Sequence, residues 1–401
     1  MTITVKKIAA LLLVLGILFI TACNNTPTDD TQIPDNDTNN TADDTSKHEF
    51  NLGVFAPTGP IKNVIIIIGD GMGPSHIQAG VLDRGSEYAF QSWQKVDVNT
   101  DSIDPDTNSP ITTDSAAAAT AIATGTLTNN KLVGLDTNKQ LLATIMDYAQ
   151  AAGKSTGIVT TDYLYGATPG AFSAHSADRN DKKTVTETQL QSGINFLAGL
   201  TSNIYGQTLY KNLISSSPYY FTDSLNDNEI AQKDNVMLAL NIEDNTENCV
   251  SLSDTTKTAI NYLEKDTDGF VLMIEQAYID KHSADNKFGD MVSKMHSLGE
   301  TVDAILEWIG DRNDTAVIVT ADHETGGLSV SDTTQLQFTY NGQNGTFHFA
   351  WKGKNHTSTY VKCYVYGVNE NFGEYETFSN PDLIKNADIF TLLKRLITTG
   401  E

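Results

Sequence analysis

Cysteine is scarce in this sequence. Cys23, Cys249 and Cys363 are the three in 401 residues, and no Cys-x-x-Cys pair occurs. That excludes a thiolate zinc site of the usual spacing. Basic residues are also few: 26 Lys and Arg stand against 50 Asp and Glu, for a formal net charge of −24. A nucleic-acid-binding surface needs clustered positive charge, so that class of function is excluded. Gly and Pro number 29 and 10, too few for a collagen-like or low-complexity chain. No internal repeat is evident, and long apolar runs are absent apart from Ile8–Ile20. What the chain does have is 39% hydrophobic residues, enough for a large core, and a surplus of carboxylates available as metal ligands.

Lys6 and Lys7 precede the apolar run, which ends in Ile20-Thr21-Ala22-Cys23. The run is too short for a permanent membrane span. A basic start, an apolar middle and a small-residue end describe an export signal, and the end resembles a bacterial lipobox, in which the cysteine receives lipid. Residues 1–22 are therefore expected to be a lipoprotein signal peptide. Residues 23–49, rich in Asn, Asp, Thr and Pro, cannot bury enough surface to offset ordering entropy and are expected to be a disordered acidic tether. A folded domain is expected over 50–401. The expected location is the bacterial envelope, with membrane contact through lipid on Cys23. Cys249 and Cys363 are read either as one disulfide or as two isolated thiols.

The body alternates β-branched runs with helical patterns. Val64–Ile68, Gly157–Thr160, Gly269–Ile274 and Ala316–Thr320 are continuous apolar segments suited to strands buried on both faces of a parallel sheet. Leu141–Ala152 and Met291–Ile309 carry apolar residues at helical spacing. This alternation predicts an α/β sandwich with right-handed crossovers. Each strand run is followed by oxygen or imidazole ligands: Asp70 after the first, Asp162 and Thr168 after the second, Glu275 and Asp280 after the third, Asp322 and His323 after the fourth. Sites in open parallel sheets form beyond the carboxyl ends of the strands. One such acidic residue is ordinarily a turn or cap residue. Four strands delivering ligands to one rim point to a site.

Ser115 precedes the run Ala116-Ala117-Ala118-Ala119. Alanine is the strongest helix former, so Ser115 is expected at a helix amino terminus. It reads there as a plain cap or as a nucleophile at a phosphate site, because free N–H groups and the helix dipole favour an anion.

Five motifs follow in order: Ile68-Gly69-Asp70-Gly71-Met72-Gly73, Thr113-Asp114-Ser115-Ala116-Ala117, Ala167-Thr168-Pro169, Thr320-Ala321-Asp322-His323-Glu324-Thr325-Gly326-Gly327 and Asn355-His356-Thr357. Together they resemble the alkaline phosphatase family of metal-dependent phosphomonoesterases, over about residues 63 to 366. The segment 182–268 carries no usable signature. The resemblance implies a three-layer αβα sandwich with a mostly parallel central sheet. It implies hydrolysis of phosphate monoesters through a phosphoserine on Ser115, with two Zn2+ and one Mg2+ as cofactors. By the same resemblance Asp70 bridges the second zinc and the magnesium. Asp322, His323 and Ser115 complete the second zinc, Thr168 and Glu275 serve the magnesium, and Asp280 and His356 serve the first zinc. Arg179 falls where the family clamps phosphate. Its planar fork suits two oxygens; the plainer reading is an ion pair with Asp178 or Asp181.

Two positions depart from the family pattern. Ala284 stands where a second ligand of the first zinc belongs, and His282 lies two residues away, about 200° round a helix from Asp280. Gly166 stands where the family has Asp or His near the magnesium. The sequence thus leaves two alternatives beside an active phosphomonoesterase: a catalytically weakened phosphate-binding homologue, or a phosphodiesterase-type relative, against which the Asp-Ser-Ala-Ala motif argues. Oligomeric state is not read from the sequence.

Overall fold

The computed structural model describes residues 50, 52, 59–200, 208–243, 249–331, 337–340, 343–346, 348–368 and 383–401. The expected signal segment and the tether lie outside the described residues. Ten strands form one sheet: β1 (Asn63–Gly69), β2 (Gln94–Asn99), β3 (Ser155–Tyr163), β4 (Phe196–Leu200), β5 (Tyr220–Thr222), β6 (Val236–Ala239), β7 (Phe270–Gln276), β8 (Thr315–Thr320), β9 (Val361–Tyr366) and β10 (Leu383–Lys385). Their order across the sheet is β10-β2-β9-β8-β1-β7-β3-β4-β6-β5. All neighbours pair in parallel except β9, which runs against β8 and β2.

The centre of the sheet follows from its composition. β1 carries four consecutive isoleucines, and all of β1, β7 and β8 is buried. Branching at Cβ stiffens these side chains and favours the extended backbone. Burial on both faces is the condition of a parallel sheet covered by helices.

The helices that concern the site and its packing are α1 (Pro74–Arg84), α2 (Ser115–Thr124), α3 (Ile145–Ala151), α4 (Ala167–Ser173), α5 (Leu252–Leu263), α6 (Tyr278–Ala284), α7 (Phe288–Ile309) and α8 (Asn386–Thr398), with other short helices between α4 and α5. They pack in two groups: α1, α5 and α6 lie against α7, while α2 joins α3, α4 and α8. The result is the expected three-layer αβα sandwich. Every residue of α2 is buried, which its run of methyl side chains permits.

Two expectations need correction. The helix expected from Leu141 begins at Ile145, because Thr144 caps it. The Asp147 amide donates to Thr144 Oγ1 at 3.3 Å, and Asp147 Oδ2 accepts from the Thr144 amide at 2.8 Å. The disulfide alternative also falls: both thiols are free, Cys249 on the surface and Cys363 buried in β9. Burial pushes the Cys363 thiol up to about 12. Among the described residues, no helix is long and apolar enough to cross a membrane.

Candidate active site

β8, β1, β7 and β3 are consecutive in the sheet, and their carboxyl ends lead to Asp322-His323, Asp70, Glu275 and Asp162. The strand register aligns these ends, pairing Ile68 with both Thr320 and Glu275, and Glu275 with Thr160. Gly71 lets the chain turn away at once. Its φ is +74°, and a Cβ there would lie 2.8 Å from the Asp280 Cα, so only glycine fits.

One ligand set converges on His323 Nε2. That atom lies 3.2 Å from Ser115 Oγ, 3.4 Å from Asp70 Oδ1 and 3.2 Å from Asp322 Oδ2. Asp322 is oriented through its other oxygen, which accepts from the Gly71 and His323 amides at 3.1 and 2.9 Å. A second set joins Asp280, His323 and His356, whose ligand atoms lie within 4.8 Å of one another. His356 Nδ1 is 2.9 Å from the Thr113 carbonyl. A carbonyl only accepts, so Nδ1 carries the proton and Nε2 is left as the free lone pair. Nε2 lies 3.5 Å from Asp280 Oδ1, which also accepts from the Thr325 hydroxyl. Glu275 accepts from Thr160 Oγ1, and Thr168 sits on α4 beside it.

Ser115 is the first residue of α2, and the cap is its neighbour. Asp114 accepts from the Ala117 amide at 3.0 Å and from the Lys131 amide at 3.1 Å. The same carboxylate pairs with Arg179 Nη1 at 3.2 Å. The Arg179 side chain is thereby anchored one residue from Ser115, which displaces the expected alternative of a pair with Asp178 or Asp181.

Electrostatics mark the site. Burial holds Asp70 well above the usual carboxylate range, and the Asp322, Asp280 and Glu275 carboxylates add to it. Burial first, then Asp162, raises Glu275 to about 8. Burial raises Asp322 to about 6 and lowers His323 to about 4. Burial and then the His323 ring lower His356. Both imidazoles are therefore neutral at pH 7, with lone pairs to offer. Asp70 Oδ1 and Asp322 Oδ2 are buried without a hydrogen-bond partner. Crowded carboxylates, neutral imidazoles and unsatisfied buried oxygens together form a donor set that a divalent cation satisfies and that protein groups alone do not. The residues fit such ions.

His282 takes no part. Its ring lies against Tyr278, tilted by 39° with centroids 5.6 Å apart. Burial lowers its pKa first, and the charges acting on it are Asp290, Lys294, Lys287 and Asp285, none of them in either ligand set. Asp280 and Ala284 do share a face, being one turn apart on that helix. Gly166 is the cap of α4.

Sequence reasoning missed the supporting groups: Asp114 as holder of Arg179, the Thr113 carbonyl under His356, Thr325 on Asp280 and Thr160 on Glu275. Three of them lie inside or beside the quoted motifs. Nothing in a linear sequence shows which distant partner a threonine hydroxyl meets.

The chain matches the family model described as alkaline phosphatase over residues 61–203 and 233–380. It belongs to the alkaline phosphatase family. Among curated relatives it is 33% identical over 294 residues to alkaline phosphatase 3 of Bacillus subtilis, covering 67% of this chain and 62% of that protein. It is 32% identical to alkaline phosphatase 4 of the same organism, covering 67% and 63%. The chain thus spans under two thirds of the length of these relatives. Among solved structures, the alkaline phosphatase of the Antarctic bacterium TAB5 superposes with a TM-score of 0.70 at 22% identity, covering 86% of this chain and 99% of that one. A variant of that enzyme is described with magnesium bound in its M3 site. The Thermus thermophilus alkaline phosphatase gives 0.69 at 18% identity, covering 86% and 93%. The two solved structures share the fold of this chain.

Proposed function

We propose that this alkaline phosphatase family member hydrolyses phosphate monoesters with Ser115 as nucleophile. The observation that carries the reading is the position of Ser115 Oγ, 3.2 Å from His323 Nε2, at the start of a helix whose cap holds Arg179. Asp322, His323, Asp70 and Ser115 would hold one zinc ion, Asp280 and His356 another, and Glu275, Thr168 and Asp70 a magnesium ion. Bound there, the cations would offset the charge of a phosphate dianion and lower the pKa of oxygens in contact with them. Ser115 Oγ gives its proton to water and attacks phosphorus in line, the bond from phosphorus to the ester oxygen breaks, and that oxygen takes up a proton from water as the alcohol leaves. Water then cleaves the phosphoserine and releases inorganic phosphate. The Ser115 and Ala116 amides begin α2 without intrahelical acceptors, and with the Arg179 guanidinium they bind the phosphate oxygens. Asp114 keeps that guanidinium oriented.

A second reading is supported by Ala284. It shares a face with Asp280 but offers no ligand, so a zinc ion there has fewer protein donors than the usual three. A catalytically weakened, phosphate-binding homologue is the corresponding function. Turnover of p-nitrophenyl phosphate, with bis(p-nitrophenyl) phosphate as the diester control, tests both readings. The first expects monoester hydrolysis that rises with added zinc and little diester hydrolysis. Phosphate binding without turnover at saturating zinc and magnesium would establish the second, and a diester preference would overturn both.

We also propose export and lipid attachment at Cys23, on the strength of the run Lys6–Cys23 alone. Cys23→Ala should release the protein from the membrane fraction; full retention there would contradict the proposal.

A further inference from the structure

Gly166 caps α4 with φ −57°, a value any residue adopts, so backbone conformation does not demand glycine there. What limits the position is space. A Cβ would meet the Tyr163 carbonyl oxygen at 2.8 Å and Asp162 Oδ2 at 3.0 Å. The Asp162 carboxylate, delivered from the end of β3, occupies the room that a side chain at 166 would use. Its other oxygen pairs with Lys281 Nζ, the residue after Asp280.

Two further observations locate this carboxylate. Asp162 is the charge that acts most strongly on the buried Glu275, so the two lie close together. Thr168 is 1% exposed, close enough to Glu275 to lower its pKa, yet its Oγ1 has no hydrogen-bond partner. Asp70, on the same rim, is also acted on by the Glu275 charge. The partly buried ion pair between Asp162 and Lys281 supplies no partner for the Thr168 oxygen. An all-oxygen set suits a hard cation such as magnesium. That ion keeps several of its waters, so a carboxylate can serve it from outside its coordination shell.

We propose that Asp162 is the positioning carboxylate of the third cation site, acting beside Glu275, Asp70 and Thr168 in the space that Gly166 leaves open. Lys281 is then a counter-charge that competes with the cation for Asp162. The inference rests on the reading of this rim as a metal-dependent phosphatase site.

The test is calorimetric titration of zinc-loaded protein with magnesium chloride alone, for the wild type, Asp162→Asn, Asp162→Glu and Lys281→Gln, with zinc content and thermal midpoint followed in each. Asp162→Asn should weaken magnesium binding by about 10-fold or more at unchanged zinc content. Asp162→Glu should restore much of it, and Lys281→Gln should not weaken it. Equal magnesium affinity in the wild type and Asp162→Asn would overturn the role of Asp162 while leaving the phosphatase reading intact. Equal losses in Asp162→Asn and Lys281→Gln would likewise overturn it, by marking the pair as scaffold. A wild type that hydrolyses monoesters but takes up no magnesium would remove the third site itself, and this inference with it.

Discussion

Ala284 is the residue at which the chemistry of this chain is most open to test. It lies one helical turn from Asp280 on α6, so an imidazole there would point at the same metal position. Ala284→His is expected to tighten zinc binding at the Asp280–His356 site, by about 10-fold or more given what lesser changes around metal sites cost, and to raise turnover at limiting zinc. His282→Ala should leave zinc affinity unchanged, since His282 is in neither set of converging ligand atoms and its ring lies against Tyr278. Zinc titration of both variants checks this; loss of zinc binding in His282→Ala alone would show that the two positions have been confused. At Gly71 the expectation concerns stability. Alanine there must adopt a left-handed conformation at a cost of about 1–2 kcal/mol and place its Cβ 2.8 Å from the Asp280 Cα. Urea unfolding of Gly71→Ala should therefore show a loss above about 2 kcal/mol. A loss below 1 kcal/mol would mean that the Asp70 turn relaxes freely.

At the scale of elements, most of the scaffold was legible. Four apolar runs became β1, β3, β7 and β8 because continuous β-branched burial has few other solutions. The stripe expected over Met291–Ile309 became α7, which begins slightly earlier at Phe288. The start of α3 was misplaced because a local capping box outweighs the apolar pattern. The segment 182–268 gave no signature, and it supplies β4, β5 and β6 at one edge of the sheet, where β4 pairs with the ligand-delivering β3 but β5 and β6 lie farther out. Within the site, residues following strands were legible because topology fixes where strand ends lie. The Asp114–Arg179 pair was not, because it joins a helix cap to a residue 65 positions away. That pair makes an element-level prediction. Asp114→Ala should destabilise α2 by about 1 kcal/mol through loss of its cap. Asp114→Asn keeps a capping oxygen and should cost less, but both should weaken inhibition by inorganic phosphate because Arg179 loses its counter-charge. Unchanged phosphate inhibition in both variants would separate Arg179 from the substrate.

For the whole molecule, the buried acids set a pH dependence with a definite sign. Glu275 is raised to about 8 from an ordinary value of 4.5, so between these values the metal-free native state binds more protons than the unfolded chain. Its stability should therefore fall as pH rises toward and through 8. His323 is lowered to about 4 from 6.5, which removes stability on the acid side as pH falls below 6.5. Divalent cations compete with the protons on the carboxylates, so the rise in Tm on adding zinc and magnesium should be larger at pH 8 than at pH 6; an increment that shrinks with pH would contradict the assignment of these acids as ligands. The proposed function requires that the strand ends assemble a metal-dependent centre in which Ser115 becomes phosphorylated. The most direct measurement is acid quenching of metal-loaded protein during turnover of a phosphate monoester, followed by peptide mass analysis. Phosphate is expected on Ser115 in the wild type and none at that position in Ser115→Ala, with turnover lower by orders of magnitude in that variant. Unmodified Ser115 throughout, with Ser115→Ala turning over at the wild-type rate, would contradict it.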